Sequence, residues 1–141
     1  MSSTTPADVL ARRRHLTLTG DADGLADLFA PDAVIEFCFH GPPGTPVRLA
    51  GREAIREYSR SIVAAPLRVE NYEVAELYQT LDPEVVIAEI RATATVTTTG
   101  RSVPATSIQV LRIREGHIVF WRDFADPRVF QEVAGDLSPG S

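Results

Sequence analysis

One cysteine, Cys38, occurs in the 141-residue chain. That excludes an intramolecular disulfide and a cysteine-rich zinc site. No apolar run approaches the ~20 residues that a membrane-spanning helix needs. Met1-Ser2-Ser3-Thr4-Thr5-Pro6 lacks the charged-then-apolar order of a secretory signal. A concentrated basic face is missing too. Fourteen basic residues stand against nineteen acidic ones, for a formal net charge of −5. Arg12-Arg13-Arg14 is the only basic run, too short to expect a nucleic-acid partner. No two histidines have metal-ligand spacing, so no metal is expected. Gly41 to Gly44 contains prolines and opens no helix, unlike a phosphate-binding loop. There is no internal repeat and no low-complexity segment. What is present is ordinary globular composition, 44% hydrophobic and 23% charged, and the length fits one domain. The expectation is a soluble, cytoplasmic protein with a sizeable core and no membrane partner.

Thr5-Pro6-Ala7-Asp8 reads as a helix start, with a capping threonine, proline in the first turn and an acid at the positive dipole end. This helix runs to about Thr19 and stops at Gly20. Asp21 caps a second helix, Ala22 to Phe29, and Pro31-Asp32 turns the chain. Ala33 to Phe39 reads as a strand, followed by the Gly41–Pro46 loop. A third helix, Arg52 to Val63, repeats Ile55, Tyr58 and Ile62 at helical spacing. Four strands follow: Leu67 to Thr80, Val85 to Thr98, Val103 to Ile113 and His117 to Phe124. Their short connections favour antiparallel neighbours, and Glu115-Gly116 marks a hairpin. Helices first and a strand meander afterwards predict an α+β fold. The domain is expected over residues 1–135, with a flexible tail at 136–141.

Four segments carry a family resemblance: Thr19 to Ala33, Gly51-Arg52-Glu53-Ala54-Ile55-Arg56, Arg114-Glu115-Gly116-His117-Ile118, and Trp121-Arg122-Asp123-Phe124-Ala125-Asp126-Pro127. In this order the chain resembles the nuclear transport factor 2-like superfamily, in particular its SnoaL-like, ketosteroid isomerase-like and limonene epoxide hydrolase-like members. The resemblance implies a conical, curved antiparallel (mixed) sheet wrapped around three N-terminal helices, the cystatin-like α+β barrel, with an apolar pocket at one end. It also implies a homodimer paired through the convex sheet face. Activities in the superfamily include isomerisation, cyclisation, dehydration and epoxide hydrolysis, and some members are not catalysts.

Asp123 matches by position the last-strand aspartate that acts as base in limonene epoxide hydrolase. Strand alternation puts it on one face with Trp121 and Val119, where desolvation would raise its pKa toward a useful acid or base. The other known constellations do not transfer. The isomerase base position falls on Phe37 and its helix-one tyrosine at about Arg13. The hydrolase's tyrosine and asparagine fall on Ile35 and Phe37. Its arginine and aspartate, two residues apart, fall on Ile90 and Ala92, beside Glu89 and Arg91 in inverted charge order. Glu89, Arg91, Thr93 and Thr95 form one polar strand side. Facing inward, Arg91 would pair with Asp123 or hold an oxyanion; facing outward, it pairs with Glu89 on the convex face. His40 stands at the expected pocket rim, either as an acid or base or as an exposed loop residue. Cys38 has no base partner and reads as buried and inert. Ile35, Phe37 and Phe39 form one side of the first strand. With Tyr58, Trp121 and Phe124 they predict an aromatic pocket for a small hydrophobic molecule. Two classes remain: a cofactor-independent acid/base enzyme and a non-catalytic ligand-binding or dimerisation module.

Overall fold

The computed structural model describes residues 4–137. Its elements are α1 (Pro6–Thr19), α2 (Ala22–Asp27), β1 (Phe29–Phe37), β2 (Val47–Ala50), α3 (Arg52–Ala64), β3 (Leu67–Gln79), β4 (Val85–Val96), β5 (Ser102–Pro104), β6 (Ser107–Arg114), β7 (His117–Ala125) and α4 (Arg128–Leu137). The helix starts follow from local chemistry. Thr5 Oγ1 accepts from the Asp8 N–H at 3.1 Å, and Asp8 accepts from the Thr5 N–H at 3.0 Å. This reciprocal box satisfies two otherwise orphaned donors. Gly20 ends α1 at φ 68°, a left-handed turn that a Cβ would strain. Asp21 caps α2 through the Gly24 N–H at 2.8 Å.

Seven strands form one sheet in the order β2-β1-β7-β6-β4-β3, with β5 beside β4. It curls around the N-terminal helices without closing, as the expected α+β cone requires. β1 and β7 run parallel, and every other pair is antiparallel. Glu115 (φ 51°) and Gly116 (φ 78°) make the two-residue turn between β6 and β7.

Several boundaries differ from the sequence expectation. α2 stops at Asp27, because Phe29 already pairs with Ile118 of β7. Pro31-Asp32 does not turn the chain. It lies inside β1, where the register with β7 slips between Phe29 and Val34, and a proline is tolerated at such an irregularity. The expected strand Val103 to Ile113 is two strands, β5 and β6, both laid against β4. Pro104 closes the first of them, and it has no N–H to give a ladder. β2 and α4 go beyond the expectation altogether. Residues 138–141 of the expected tail lie outside the described residues, while α4 continues through Leu137.

The main core packs Val9 and Leu10 of α1 and Ile55 of α3 onto Ile90, Leu111 and Ile118 of the sheet. A satellite cluster of Ala94, Val96, Val103 and Val133 lies under α4. An Arg101–Glu132 ion pair at 2.7 Å ties that helix to the β4–β5 turn.

Candidate functional site

Strand register builds the site. β1, β7 and β6 are neighbours, and their pairing sets Phe37 opposite Asp123 and Asp123 opposite Gln109. The next inward row is Ile35, Trp121 and Leu111. Inward positions alternate by two along each strand, so Trp121 and Asp123 share the concave face. α1 crosses above them and lowers Arg13 onto this face. The guanidinium carbon lies 3.7 Å from the Trp121 ring centre and 5.4 Å from that of Tyr72. Arg13 Nη1 donates to Gln109 Oε1. The neighbouring Arg14 holds α1 in place by donating from Nε to the Tyr72 carbonyl at 2.7 Å.

Two adjoining chambers open between helices and sheet. The helix chamber, of about 390 Å³, is lined by Leu18, Leu25, Ile55, Ile62 and Val63 among others. The sheet chamber, of about 240 Å³, contains Phe37, His40, Tyr72, Gln109 and Asp123, with Val129 and Val133 of α4 across from them. Arg13, Tyr58 and Trp121 line both.

Polar groups here are buried and under-bonded. Asp123 is 7% exposed and Arg13 6%. The Tyr72 hydroxyl, the Trp121 indole nitrogen and Asp123 Oδ1 are buried without a hydrogen-bond partner among the described residues. Native folds rarely leave such groups orphaned, so each calls for a partner from outside the protein, water or ligand. Burial pushes the Asp123 carboxyl above the usual carboxylate range, against the pull of cationic Arg13 and, more weakly, His40. Burial also pushes the Tyr58 and Tyr72 phenols up, so both remain protonated donors at neutral pH. Among the described residues no three His, Cys, Asp or Glu side chains gather where they could hold a metal ion.

The residues picked from sequence divide sharply. Asp123, Phe37, Tyr58, Trp121 and Ile35 all line the chambers. Phe37 packs against Tyr58 at 5.3 Å between ring centres and against His40 at 5.5 Å. His40 stands exposed at the rim of the sheet chamber. Two positions need correction. Arg91 is on the outer face, 3.6 Å from Glu89, because its neighbours Ile90 and Ala92 take the inward positions; it is not a partner of Asp123. Phe39 is 54% exposed and packs on Phe124 at 5.9 Å, outside the chambers. β1 ends at Phe37, so the strand alternation that placed Phe39 inward no longer applies. Phe124, one position out of phase with the concave face, is likewise outside. Cys38 is half-buried, and desolvation pushes its thiol up, away from nucleophilic thiolate.

Tyr72 and Gln109 escaped the sequence reading, and Arg13 entered it only as the place of the isomerase's helix-one tyrosine. Arg13 hid in a basic run. Its signal is the spacing Val9, Leu10, Arg13, Leu16, which is the buried stripe of α1. Gln109 alternates with Leu111 and Ile113, both buried, and a polar residue in a buried alternation is the signal there. Tyr72 gives no comparable sign, since bulges on both sides of it shift the β3 register.

The fold is a curled α+β cone with under-bonded polar groups buried in an apolar chamber. The SnoaL-like domain profile matches residues 12–121, and the chain belongs to the SnoaL-like family of the nuclear transport factor 2-like superfamily. An uncharacterized PhzA/B-like protein of Pseudomonas aeruginosa is 36% identical over 130 residues, covering 92% of this chain and 90% of that protein. Among solved structures, a provisionally named isomerase from Bacillus subtilis is 28% identical with a TM-score of 0.83, covering 94% of this chain and 95% of that one. The epoxide hydrolase/cyclase-like enzyme SalBIII, of pyran ring formation in the polyether salinomycin, is 25% identical with a TM-score of 0.70, covering 87% and 92%. A Mycobacterium tuberculosis protein in complex with estradiol-17β-hemisuccinate shares the fold at 19% identity and a TM-score of 0.69, covering 91% and 98%. No helix among the described residues is long and apolar enough to cross a membrane.

Proposed function

We propose that this protein is a cofactor-independent enzyme that moves a proton on an oxygenated, hydrophobic small molecule, with Asp123 as the acid/base. The observation that carries the reading is the Asp123 carboxyl itself. It is buried in a ligand-sized chamber, one oxygen has no hydrogen-bond partner among the described residues, and its pKa is raised by burial. A carboxyl held above its ordinary range is a stronger base than a free one and can return the proton it takes. In an enolisation, ionised Asp123 takes a proton from the carbon beside a carbonyl, and the electron pair moves to the carbonyl oxygen. The Trp121 N–H and Tyr72 O–H are the donors for that oxygen, in a site with little water to compete. Returning the proton at another atom completes an isomerisation; loss of a leaving group or closure on an internal oxygen gives dehydration or cyclisation. The involvement of SalBIII in pyran ring formation and the steroid derivative held by the mycobacterial protein support ligands of this kind.

The test is hydrogen exchange at the α-carbon of an apolar ketone, tetralone, followed by NMR in deuterated water. Wild type accelerates exchange, and Asp123→Asn lowers the rate about 100-fold or more while still melting cooperatively. Equal rates in the two proteins remove the catalytic role. A binding-only reading has one observation in its favour: Ile35 and Phe37 are apolar where catalytic relatives place polar groups. The homodimer belongs to the same proposal. Ile108 and Phe39 are exposed on the outer face, and a single-chain mass by light scattering at micromolar concentration removes it.

A further inference from the structure

Arg13 sets a charge problem that the fold leaves open. Arg13 is 6% exposed, and an arginine keeps its charge. It has five N–H donors, yet its single hydrogen bond among the described residues goes to the neutral Gln109. Every ion pair among the described residues belongs to another arginine, from Arg56 to Arg128. No nitrogen of Arg13 comes within 4.0 Å of a carboxylate oxygen there. Asp123 influences Arg13 only from beyond ion-pair distance. Stacking on Trp121 offsets part of the desolvation but offers no oxygen to the N–H groups. A buried cation with no carboxylate at ion-pair distance is costly. It stands where the two chambers share a wall.

We propose that the ligand supplies the missing counter-charge: it is a hydrophobic carboxylic acid whose carboxylate pairs with Arg13. Its apolar body occupies the helix chamber, among Leu18, Leu25, Ile55 and Ile62. A guanidinium presents parallel N–H groups that match the two oxygens of a carboxylate. Arg13 lies between the apolar chamber and Asp123, so a ligand anchored there presents its adjoining atoms to the Asp123 side. This inference rests on the chambers being the ligand site, and it adds the chemical class that the site selects.

The probes are 2-naphthoate and its neutral isostere 2-naphthamide, with affinities measured by titration calorimetry on the full chain. Wild type binds the acid about tenfold more tightly than the amide, the difference expected of a hydrogen-bonded charge pair. Arg13→Met abolishes that preference. Arg13→Gln, which keeps a donor for Gln109 and removes only the charge, does the same and serves if the methionine variant does not fold. Asp123→Asn tightens naphthoate several-fold, by removing a like charge. Equal affinity of acid and amide for wild type, absence of binding by both, or a preference that survives both Arg13 variants overturns the inference. It fails separately from the catalytic reading. Equal acid and amide binding with Asp123-dependent tetralone exchange removes the acid ligand and leaves the proton transfer. An Arg13-dependent acid preference with exchange unaffected by Asp123→Asn does the reverse.

Discussion

The two faces of the sheet use the same charged residue types in opposite ways. On the outer face Arg122 meets Glu36 at 3.2 Å, Arg112 meets both Asp82 and Glu84 at 3.0 Å, and Arg114 meets Glu84 at 2.9 Å. Apart from the more buried Glu36, these side chains are about a third to a half exposed, and water screens each pair, so each contributes little. On the inner face Arg13 and Asp123 are almost fully buried and make no ion pair with each other. Arg13 instead donates to Gln109 and stacks on Trp121. The outer face is satisfied and weakly coupled. The inner face leaves the Tyr72 hydroxyl, the Trp121 indole N–H and Asp123 Oδ1 without partners among the described residues, as expected where polar groups are reserved for a ligand.

The largest effect that sharpens this contrast is hydrophobic. Leu111→Ala, at a fully buried inward position, is expected to cost about 2–5 kcal/mol in a denaturant melt. Ile108→Ala, on the outer side of the same strand and 41% exposed, should stay within about 0.5 kcal/mol. Comparable losses would mean that the outer face is covered by something in solution.

The next effect concerns Asp123 and pH. Its folded pKa lies above the unfolded value because of burial. Ionised Asp123 therefore destabilises the fold above its folded pKa, and the penalty vanishes below the unfolded value. Asp123→Asn should melt at a higher temperature than wild type at neutral pH, and the gap should close on acidification toward pH ~3. A variant that melts lower at neutral pH would mean that the carboxylate is a structural anchor. The outer face carries the opposite dependence. Arg114 and Arg112 hold the Glu84 carboxyl at about 2, so its contribution is present above the unfolded value and is lost as pH falls toward 2. Glu84→Gln should lower the melting temperature slightly at neutral pH and not at all in strong acid.

The smallest effect is Arg91→Ala, at an exposed pair 3.6 Å apart. Ketone exchange and melting temperature should both match wild type. A fall in exchange would return Arg91 to the site.

These faces were readable from sequence to different depths. The caps at Thr5 and Asp21 and the hairpin turn at Glu115-Gly116 are local, since each depends on a few adjacent residues. The inward placement of Phe37, Trp121 and Asp123 follows from period-two alternation once the strands are known. What was not legible depends on partners far along the chain. β2 is four residues long and exists because β1 offers an edge. Phe39 was placed by an alternation that had already ended. Arg13 reads as surface charge beside Arg12 and Arg14 until its helical phase with Leu10 and Leu16 is counted. Arg91 could not be assigned a side from its strand, whose polar half faces out only because Ala92 and Ile90 are needed inside.

The parallel seam between β1 and β7 also governs when the chamber can come into existence. Arg122 and Glu36 touch across 86 positions of chain, whereas the β6–β7 and β3–β4 pairs close through short turns. Joining distant segments carries a loop-closure cost that hairpins avoid, so local pairings form faster. During synthesis β1 leaves the ribosome long before its central partner does. The α1–α3 layer and β1 must wait with one strand edge open until residues 117–125 arrive and slot between β1 and β6. Asp123 and Phe37, neighbours across that seam, therefore meet in the step that completes the sheet, and a chain halted before β7 has helices and hairpins but no chamber floor.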